Sequence, residues 1–320
     1  MSKTEPMQPE DFIVPLNING LEGRMLRLPA QKANQPEILF IYGQHSSLER
    51  WWGLAEELNK LGSLTMPDLP GFGGMTSLYK IGRQATIDDL ADYLAAFIKL
   101  KYRRGKIVMA GMSLGFVIIT RTLQKYPELV RKVDFLVSIV GFAHSEDFIF
   151  SPRRQQFYRY VTAVFSRKLP AAIFQALFLQ PFYLRRVYKY SRFAKEKLST
   201  LTGDEFKRTM DMEVLLWKIN DLRTQMKTNN EMFHLDNTKQ HVALPVWHVA
   251  SKKDRYFNHN RVEEHMRQIF SDFTMFYTKD PNHAPTIIAT AKDAAPFVPA
   301  GLQKVFTERY KKPADRKSKV

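Results

Sequence analysis

A serine framed by two glycines is the strongest chemical signal in this chain. The motif G-x-S-x-G is matched by Gly111-Met112-Ser113-Leu114-Gly115. The flanking pattern predicts a strand at residues 106–110 and a helix at residues 114–125, a setting in which a sharp turn lifts a serine oxygen clear of a sheet. Small residues are needed beside such a turn, and the helix N-terminus offers backbone N–H donors to a developing oxyanion. The motif therefore predicts Ser113 as a nucleophile that attacks a carbonyl carbon.

A serine hydroxyl needs a base to take its proton, and histidine is the usual one. The chain has eight histidines. We predict that His283 is the base, because it lies in a turn after the last predicted strand and before a helix. His45 and His144 also follow predicted strands and are the alternatives. His248 lies within a strand among apolar neighbours, which is typical of a core residue.

An acid must hold that base, and Asp254 is the predicted one. It follows a predicted strand, and the order serine, aspartate, histidine is the one expected for a strand–turn–helix nucleophile of this kind. Glu146 and Asp147, which follow an earlier strand, are the reserve candidates. If Ser113, Asp254 and His283 meet, the chemistry is acyl transfer through a covalent acyl-enzyme.

The elements that must position these residues alternate between strand and helix. Apolar runs predict strands at residues 38–42, 64–66, 106–110, 133–140, 246–250 and 273–277. Helical spacing predicts helices at residues 48–61, 86–100, 114–125, 262–269 and 294–309. This alternation favours an α/β fold with a mostly parallel central sheet flanked by helices.

The alternation is interrupted between residues 145 and 235, where the chain is aromatic, basic and helical in pattern. Lys and Arg number 16 in this segment and Asp and Glu number 9. We therefore predict a core domain of residues 1–144 and 236–320 with a helical cap inserted at residues 145–235. A cap that closes over Ser113 would select the substrate, and its aromatic residues suit an apolar or aromatic one. Packing of one helical face on the core is the competing explanation for most of them.

Composition excludes several other chemistries. The 320 residues include no cysteine, so a disulfide scaffold, a cysteine nucleophile, a thiolate zinc site and an iron–sulfur cluster are ruled out. Nothing in the sequence indicates a metal or an organic cofactor. The N-terminus shows no signal peptide and no apolar run is long enough to span a bilayer, so the expected location is the cytoplasm.

The formal net charge is +16, and such an excess indicates an anionic partner or substrate. Peripheral contact with an anionic membrane is one interpretation of the basic cap, and simple solubilisation of the cap is the favoured one. No nucleic-acid-binding motif accompanies the basic residues, so nucleic acid is not expected as a partner. The sequence gives no indication of the oligomeric state.

These motifs together resemble the α/β-hydrolase superfamily, in the subgroup that carries a helical cap between the sixth and seventh strands. Residues 66–73 look like the D-x-P-G-x-G segment of the family, and residues 40–44 look like its oxyanion strand end. The resemblance implies a serine hydrolase without a cofactor. It also implies an oxyanion hole built from the backbone N–H groups of Gln44 and Leu114.

Three positions depart from the family pattern. Tyr42 stands where His is usual, and Ser251 and Asn282 stand where Gly is usual, but none of these changes removes a reacting group. Relatives that act on haloalkanes and epoxides carry Asp at the elbow, so Ser113 implies acyl transfer instead. We expect a carboxylesterase-like enzyme that cleaves an ester of a small, apolar or aromatic substrate. A carbon–carbon hydrolase, an aminopeptidase, an acyltransferase and a non-catalytic ligand-binding protein are the alternatives.

Overall fold

A central sheet organises the protein, whose computed structural model describes residues 7–190 and 203–310. Its strands are β1 (Ile13–Ile18), β2 (Leu21–Leu28), β3 (Glu37–Ile41), β4 (Ser63–Pro67), β5 (Ile107–Met112), β6 (Val133–Ile139), β7 (Val242–Ser251) and β8 (Phe270–Thr278). They form one sheet in the order β1-β2-β4-β3-β5-β6-β7-β8. The pairs β1–β2 and β2–β4 are antiparallel and all other pairs are parallel. The predicted α/β fold with a mostly parallel sheet is confirmed.

Helices cover the sheet and fill the connections. They are α1 (Trp52–Asn59), α2 (Ile87–Lys101), α3 (Leu114–Lys125), α4 (Pro152–Phe165), α5 (Lys168–Phe178), α6 (Pro181–Tyr190), α7 (Gly203–Ile219), α8 (Leu222–Met232), α9 (His259–Ile269), α10 (Ala291–Ala294) and α11 (Ala300–Arg309). The start of α2 shows how local sequence sets these limits: the Thr86 side chain accepts the N–H of Asp89, and acidic residues occupy the first turn. Every residue of β5 is buried, as expected for a central strand covered by helices on both faces.

Two features of the fold differ from the sequence interpretation. The hairpin β1–β2 was not predicted, although Asn19 and Gly20 at its turn both have positive φ, 52° and 79°, as a type I′ turn requires. The single helix predicted at residues 294–309 was wrong. The chain instead forms α10, a 3₁₀ turn (Ala295–Phe297) and α11, because Pro296 and Pro299 cannot donate backbone hydrogen bonds inside a helix.

Helices α4 to α8 lie between β6 and β7, and we call residues 148–234 the insertion. The chain segments that enter and leave it pair with each other. Ser145 donates its N–H to the carbonyl of Leu235 over 2.8 Å, and Asn237 donates to Ala143 over 3.1 Å. Within the described residues, none of the helices combines the length and apolar character needed to cross a bilayer.

Candidate active site

Ser113 occupies a strained turn between β5 and α3. Its φ is 49° and its ψ is −118°, a conformation that costs a non-glycine residue free energy and is typical of functional turns. The Ser113 N–H donates to the carbonyl of Ile139 on β6 over 3.0 Å, which fixes the turn to the sheet. The Ser113 side chain does not cap α3 and is half-buried. The turn therefore holds the Ser113 hydroxyl at the end of β5, and this hydroxyl makes no hydrogen bond that caps α3.

Small residues around the turn are needed for steric reasons. A methyl group at Gly115 would lie 2.6 Å from the carbonyl oxygen of Tyr42 and closer still to that of Ile41. One at Gly111 would lie 2.7 Å from the backbone nitrogen of Phe116. The glycines of the motif therefore let α3 start directly against β5 and the end of β3.

The loop after β3 also approaches the serine closely. A methyl group at Gly43 would lie 3.3 Å from Ser113 Cβ. This close approach brings the backbone beside Gly43, including the amide of Gln44, next to the turn that carries Ser113.

Asp254 and His283 are in direct contact. Asp254 follows β7, His283 follows β8, and His283 Nδ1 lies 2.7 Å from Asp254 Oδ2. The Asp254 side chain is fully buried and that of His283 is 17% exposed. A carboxylate can only accept, so the proton of this hydrogen bond lies on Nδ1. In the neutral imidazole the lone pair is then on Nε2, as a general base requires.

The other oxygen of Asp254 is held by the chain that follows it. Oδ1 accepts the N–H groups of Tyr256 over 2.8 Å and Phe257 over 3.3 Å. Burial alone would raise the pKa of Asp254, but the hydrogen bonds from His283 and from these two amides outweigh it and place the pKa below its usual value. Asp254 therefore stays ionised beside the histidine.

Aromatic rings enclose the imidazole. The ring of Tyr256 lies 5.0 Å and that of Phe257 lies 5.4 Å from the His283 ring, measured between centroids. The sequence interpretation did not assign these two residues. Their position two and three residues after Asp254 is the signal that could have found them, since an aspartate side chain commonly accepts hydrogen bonds from backbone amides this far along the chain.

The strands that carry the three predicted catalytic residues end at the same edge of the sheet. β5, β7 and β8 run parallel, and Ser113, Asp254 and His283 follow their carboxyl ends. Among the described residues, the structure joins Asp254 to His283 but shows no hydrogen bond between Ser113 and His283. A nucleophile–base bond is often long without substrate and shortens when substrate binds.

Two backbone amides beside Ser113 fit the predicted oxyanion hole. Leu114 is the first residue of α3, and its N–H has no acceptor among the described residues; the same is true of the N–H of Gln44. The Gln44 side chain fixes its loop to α8: Nε2 donates to the carbonyl of Gln225 over 2.9 Å, and Oε1 lies 3.1 Å from Thr228 Oγ1. These contacts span more than 180 positions, so no local signal could have predicted them.

Tyr42, at the position where the family usually has histidine, joins two loops beside the site. Its hydroxyl donates to Asp68 Oδ1 and accepts the N–H of Leu69, both over 2.9 Å. Burial raises the pKa of Asp68 to about 8, against the influence of Arg24, whose Nε lies 3.2 Å from Oδ2. Tyr42 thus connects the end of β3 to the segment that resembles D-x-P-G-x-G.

The alternative bases and acids make other contacts. His45 Nδ1 lies 3.2 Å from Gln225 Oε1, and its Nε2 lies 3.8 Å from Glu213 on α7. Asp147 is fully buried, and its Oδ1 lies 2.6 Å from His265 Nδ1. The hydrogen-bond partner of His283 is Asp254 instead. The second oxygen of Asp147 accepts the N–H groups of Ala143 and His144.

Glu146 is exposed, and His144 Nδ1 accepts its backbone N–H over 3.1 Å. Asp147, Glu146 and His144 therefore belong to the segment that enters the insertion. None of them contacts the Asp254–His283 pair through a hydrogen bond among the described residues.

One cluster has side chains of the kind that bind metals. Potential ligand atoms of His144, Glu146 and His265 lie within 4.8 Å of one another, the sole such group among the described residues. The Nδ1 atom of His144 accepts an amide hydrogen, which in the neutral ring places the proton on Nε2 and leaves no lone pair for a metal. This arrangement disfavours His144 as a ligand, and we assign no metal to the cluster.

The fold and the motif place the chain in a known family. The sequence model of the family described as alpha/beta hydrolase fold matches residues 36–285 of this chain, so the protein belongs to this family. No curated protein sequence matches the chain.

Solved structures of several hydrolases share the fold. An esterase from Thermogutta terrifontis has a TM-score of 0.56 at 16% identity, covering 93% of this chain and 97% of its own. An enol-lactonase from Burkholderia xenovorans has a TM-score of 0.61 at 12% identity, covering 92% and 98%. A mutant of an epoxide hydrolase from Bacillus megaterium has a TM-score of 0.62 at 14% identity, covering 92% and 100%. At these identities the similarity establishes the fold, and the family supports a hydrolase.

Proposed function

We propose that the protein is a serine hydrolase that cleaves an ester or related acyl bond through Ser113, His283 and Asp254. The observation that carries the proposal is the 2.7 Å contact between His283 and the fully buried Asp254. This contact sits at the sheet edge where a strained turn presents Ser113. A buried carboxylate and an imidazole that served stability alone would not need a serine held beside them in an unfavourable backbone conformation.

In the mechanism that follows, His283 Nε2 takes the proton of Ser113 as the Oγ atom attacks the carbonyl carbon. The carbonyl oxygen becomes an oxyanion that accepts hydrogen bonds from the amides of Gln44 and Leu114. The C–O bond to the leaving alcohol breaks as His283 returns the proton to the alcohol oxygen. Water then attacks the acyl-enzyme with His283 as the base, which releases the acid and restores the Ser113 hydroxyl.

The residue at the turn separates this reaction from others on the same fold. A serine forms an acyl-enzyme with a carbonyl substrate, whereas the resemblance noted above associates haloalkane and epoxide cleavage with aspartate at this position. We propose a small, apolar or aromatic acyl substrate selected by the insertion, which would act as a cap at the edge where Ser113 lies. The alternatives that keep the triad differ in the bond they cleave, so a substrate panel distinguishes them.

The partners that we propose are this small-molecule substrate and, through the basic insertion, the surface of an anionic membrane. The net charge of +16 supports the second partner. No cofactor is required by the mechanism.

A fluorophosphonate probe tests the proposal directly, because it labels a serine only when that serine is activated as a nucleophile. We expect labelling of the wild-type protein at Ser113, none of Ser113→Ala, and hydrolysis of p-nitrophenyl acetate and butyrate by the wild type alone. Ser138→Ala is the matched control, since Ser138 is a buried serine bonded to His248 on the neighbouring strands. Equal labelling of wild type and Ser113→Ala would overturn the proposal.

A further inference from the structure

Helix α5 exposes an apolar face that the protein itself does not cover. Leu169, Ile173 and Leu177 are spaced four residues apart, so they lie along one side of the helix, and Ala172 and Ala176 lie between them. All five are exposed. A helix of this composition is normally buried, because water contact with a continuous apolar stripe is unfavourable. We call these five residues the α5 face.

The opposite side of α5 already makes the contacts that hold the helix. Ala171 is buried, and the ring of Phe174 lies 4.7 Å from that of Phe165 on α4. The α5 face therefore takes no part in the packing of the described residues of the insertion.

Helices α4 and α6 of the insertion also expose large apolar and aromatic side chains. Large side chains of α4, α5 and α6 are 50–72% exposed: Phe157, Tyr160, Leu169, Ile173, Leu177, Phe178, Phe182, Tyr183 and Val187. Aromatic residues with a polar atom, such as tyrosine, are favoured where an apolar medium meets water. Of the 17 large hydrophobic side chains that are exposed among the described residues, nine lie on these three helices, so they are concentrated in the insertion.

The charge of the insertion indicates which kind of partner the α5 face fits. Residues 148–190 contain eight Lys and Arg and no Asp or Glu. Arg153, Arg167 and Lys168 are exposed and form no ion pair among the described residues. Two copies of this surface would bring like charges together, which disfavours self-association. An anionic lipid bilayer instead offers acyl chains to the apolar side chains and negative headgroups to the basic ones.

We propose that the α5 face docks onto the surface of an anionic membrane, with the apolar side chains of α5 entering the boundary between headgroups and acyl chains. Basic residues at the N-terminal end of α5 and on α4 then lie at the headgroups. The contact is peripheral, since the helices lie on the bilayer and do not span it. The proposal deepens the membrane partner named above, and it does not depend on catalysis by Ser113.

Co-sedimentation of the full-length Ser113→Ala protein with vesicles tests the docking, and this variant leaves ester lipids intact under the proposed chemistry. One set of vesicles contains phosphatidylcholine alone and the other also contains phosphatidylglycerol. We expect binding to the vesicles with phosphatidylglycerol, weaker binding to phosphatidylcholine alone, and a decrease as salt rises. Equal binding to both sets at all salt concentrations would overturn the role of the charges.

Variants separate the apolar and the basic contributions. Leu169→Ser with Ile173→Ser should weaken binding by at least about tenfold. The matched control is Ile81→Ser with Leu100→Ser, which removes the same residue types from exposed positions outside the insertion. Arg153→Gln, Arg167→Gln and Lys168→Gln together should weaken binding to anionic vesicles by roughly fivefold per charge.

The control for charge is Arg103→Gln, Arg104→Gln and Lys106→Gln, which removes three exposed basic residues before β5, at the opposite edge of the sheet from Ser113. Equal loss in the insertion variants and in their controls would show non-specific attraction and overturn the proposal. Concentration-dependent dimerisation without vesicles that Leu169→Ser and Ile173→Ser abolish would assign the face to a second copy instead. Because the assay measures binding, a negative result leaves the fluorophosphonate test of the serine chemistry unaffected.

Discussion

His283 Nδ1 is 2.7 Å from Asp254 Oδ2, and this contact joins two loops that follow neighbouring parallel strands. The strands bring the loops together, and the buried carboxylate then fixes the tautomer of the imidazole. A similar pair exists elsewhere in the protein, since Asp147 Oδ1 lies 2.6 Å from His265 Nδ1. In the first pair both residues lie in loops that follow parallel strands, whereas His265 of the second pair lies within α9. The position of each histidine relative to the sheet therefore distinguishes two pairs that have the same chemistry.

Asp254→Asn tests this distinction. The amide can donate to the imidazole and favours the wrong tautomer, so we expect kcat to fall by about three to four orders of magnitude while the protein stays folded. Asp147→Asn is the matched control, because it changes a carboxylate that is equally buried and also bonded to histidine. Ester hydrolysis and circular dichroism are measured for both variants. A large loss in Asp147→Asn with little loss in Asp254→Asn would make Asp147 the acid.

Gln44→Leu tests whether the insertion positions the oxyanion loop. Leucine removes both side-chain contacts to α8 but keeps the backbone N–H, so we expect kcat to fall about tenfold with a small change in KM, because the lost alignment matters most in the transition state. Thr228→Val removes a contact to Oε1 alone and should have a smaller effect. Steady-state kinetics with one ester measure both variants. An unchanged kcat in Gln44→Leu would show that α8 does not position this amide.

Gly115→Ala tests the steric argument for the turn. The added methyl group would overlap the carbonyl oxygens of Ile41 and Tyr42, which belong to the backbone at the end of β3 and cannot rotate away. We expect a loss of about 3 kcal/mol in the free energy of unfolding. Gly203→Ala is the control, because nothing lies within 4 Å of a methyl group there. Urea-induced unfolding measures both variants. Equal free energies of unfolding for Gly115→Ala and Gly203→Ala would contradict the requirement for glycine at the turn.

The sequence contained enough information to predict the parallel part of the sheet and to select Asp254 and His283 for the same site. The central strands β5 and β6 are nearly continuous apolar runs, and Asp254 and His283 lie in the turns that follow β7 and β8. The hairpin β1–β2 was harder to recognise, because Pro15 within β1 argues against a strand unless the strand lies at an edge, and its edge position is a property of the assembled sheet. The Asn19-Gly20 turn was the one local signal for it.

Contacts between distant segments account for what the sequence could not supply. The side chain of Gln44 meets α8 because the insertion folds back over the loop, and the hydroxyl of Tyr42 reaches Asp68 because β3 and β4 are neighbours in the sheet. Neither contact follows from spacing along the chain. The exposure of the α5 face is likewise a result of which side of the helix packs against α4.

His248 provides a prediction about stability that is independent of catalysis. It is fully buried on β7, with Nδ1 2.8 Å from Ser138 Oγ, and burial lowers its pKa to about 3. The unfolded chain binds a proton at this histidine below its usual pKa of 6.5, whereas the folded protein does so only near pH 3. The free energy of unfolding is therefore not reduced by His248 above pH 6.5, where this histidine is neutral in both states. It decreases progressively as the pH falls from 6.5 toward 3, because protonation then favours the unfolded chain.

His248→Gln removes this titration and keeps a polar atom for Ser138. Between about pH 7.5 and about pH 5, we expect the wild type to lose roughly 2 kcal/mol more unfolding free energy than the variant, because the buried imidazole resists protonation in the folded state alone. His241→Gln replaces an exposed histidine and shows what the loss of one imidazole does at the surface. Urea-induced unfolding at the two pH values measures all three proteins. An equal decrease in the wild type and in His248→Gln would mean that His248 is protonated in the folded protein over this range.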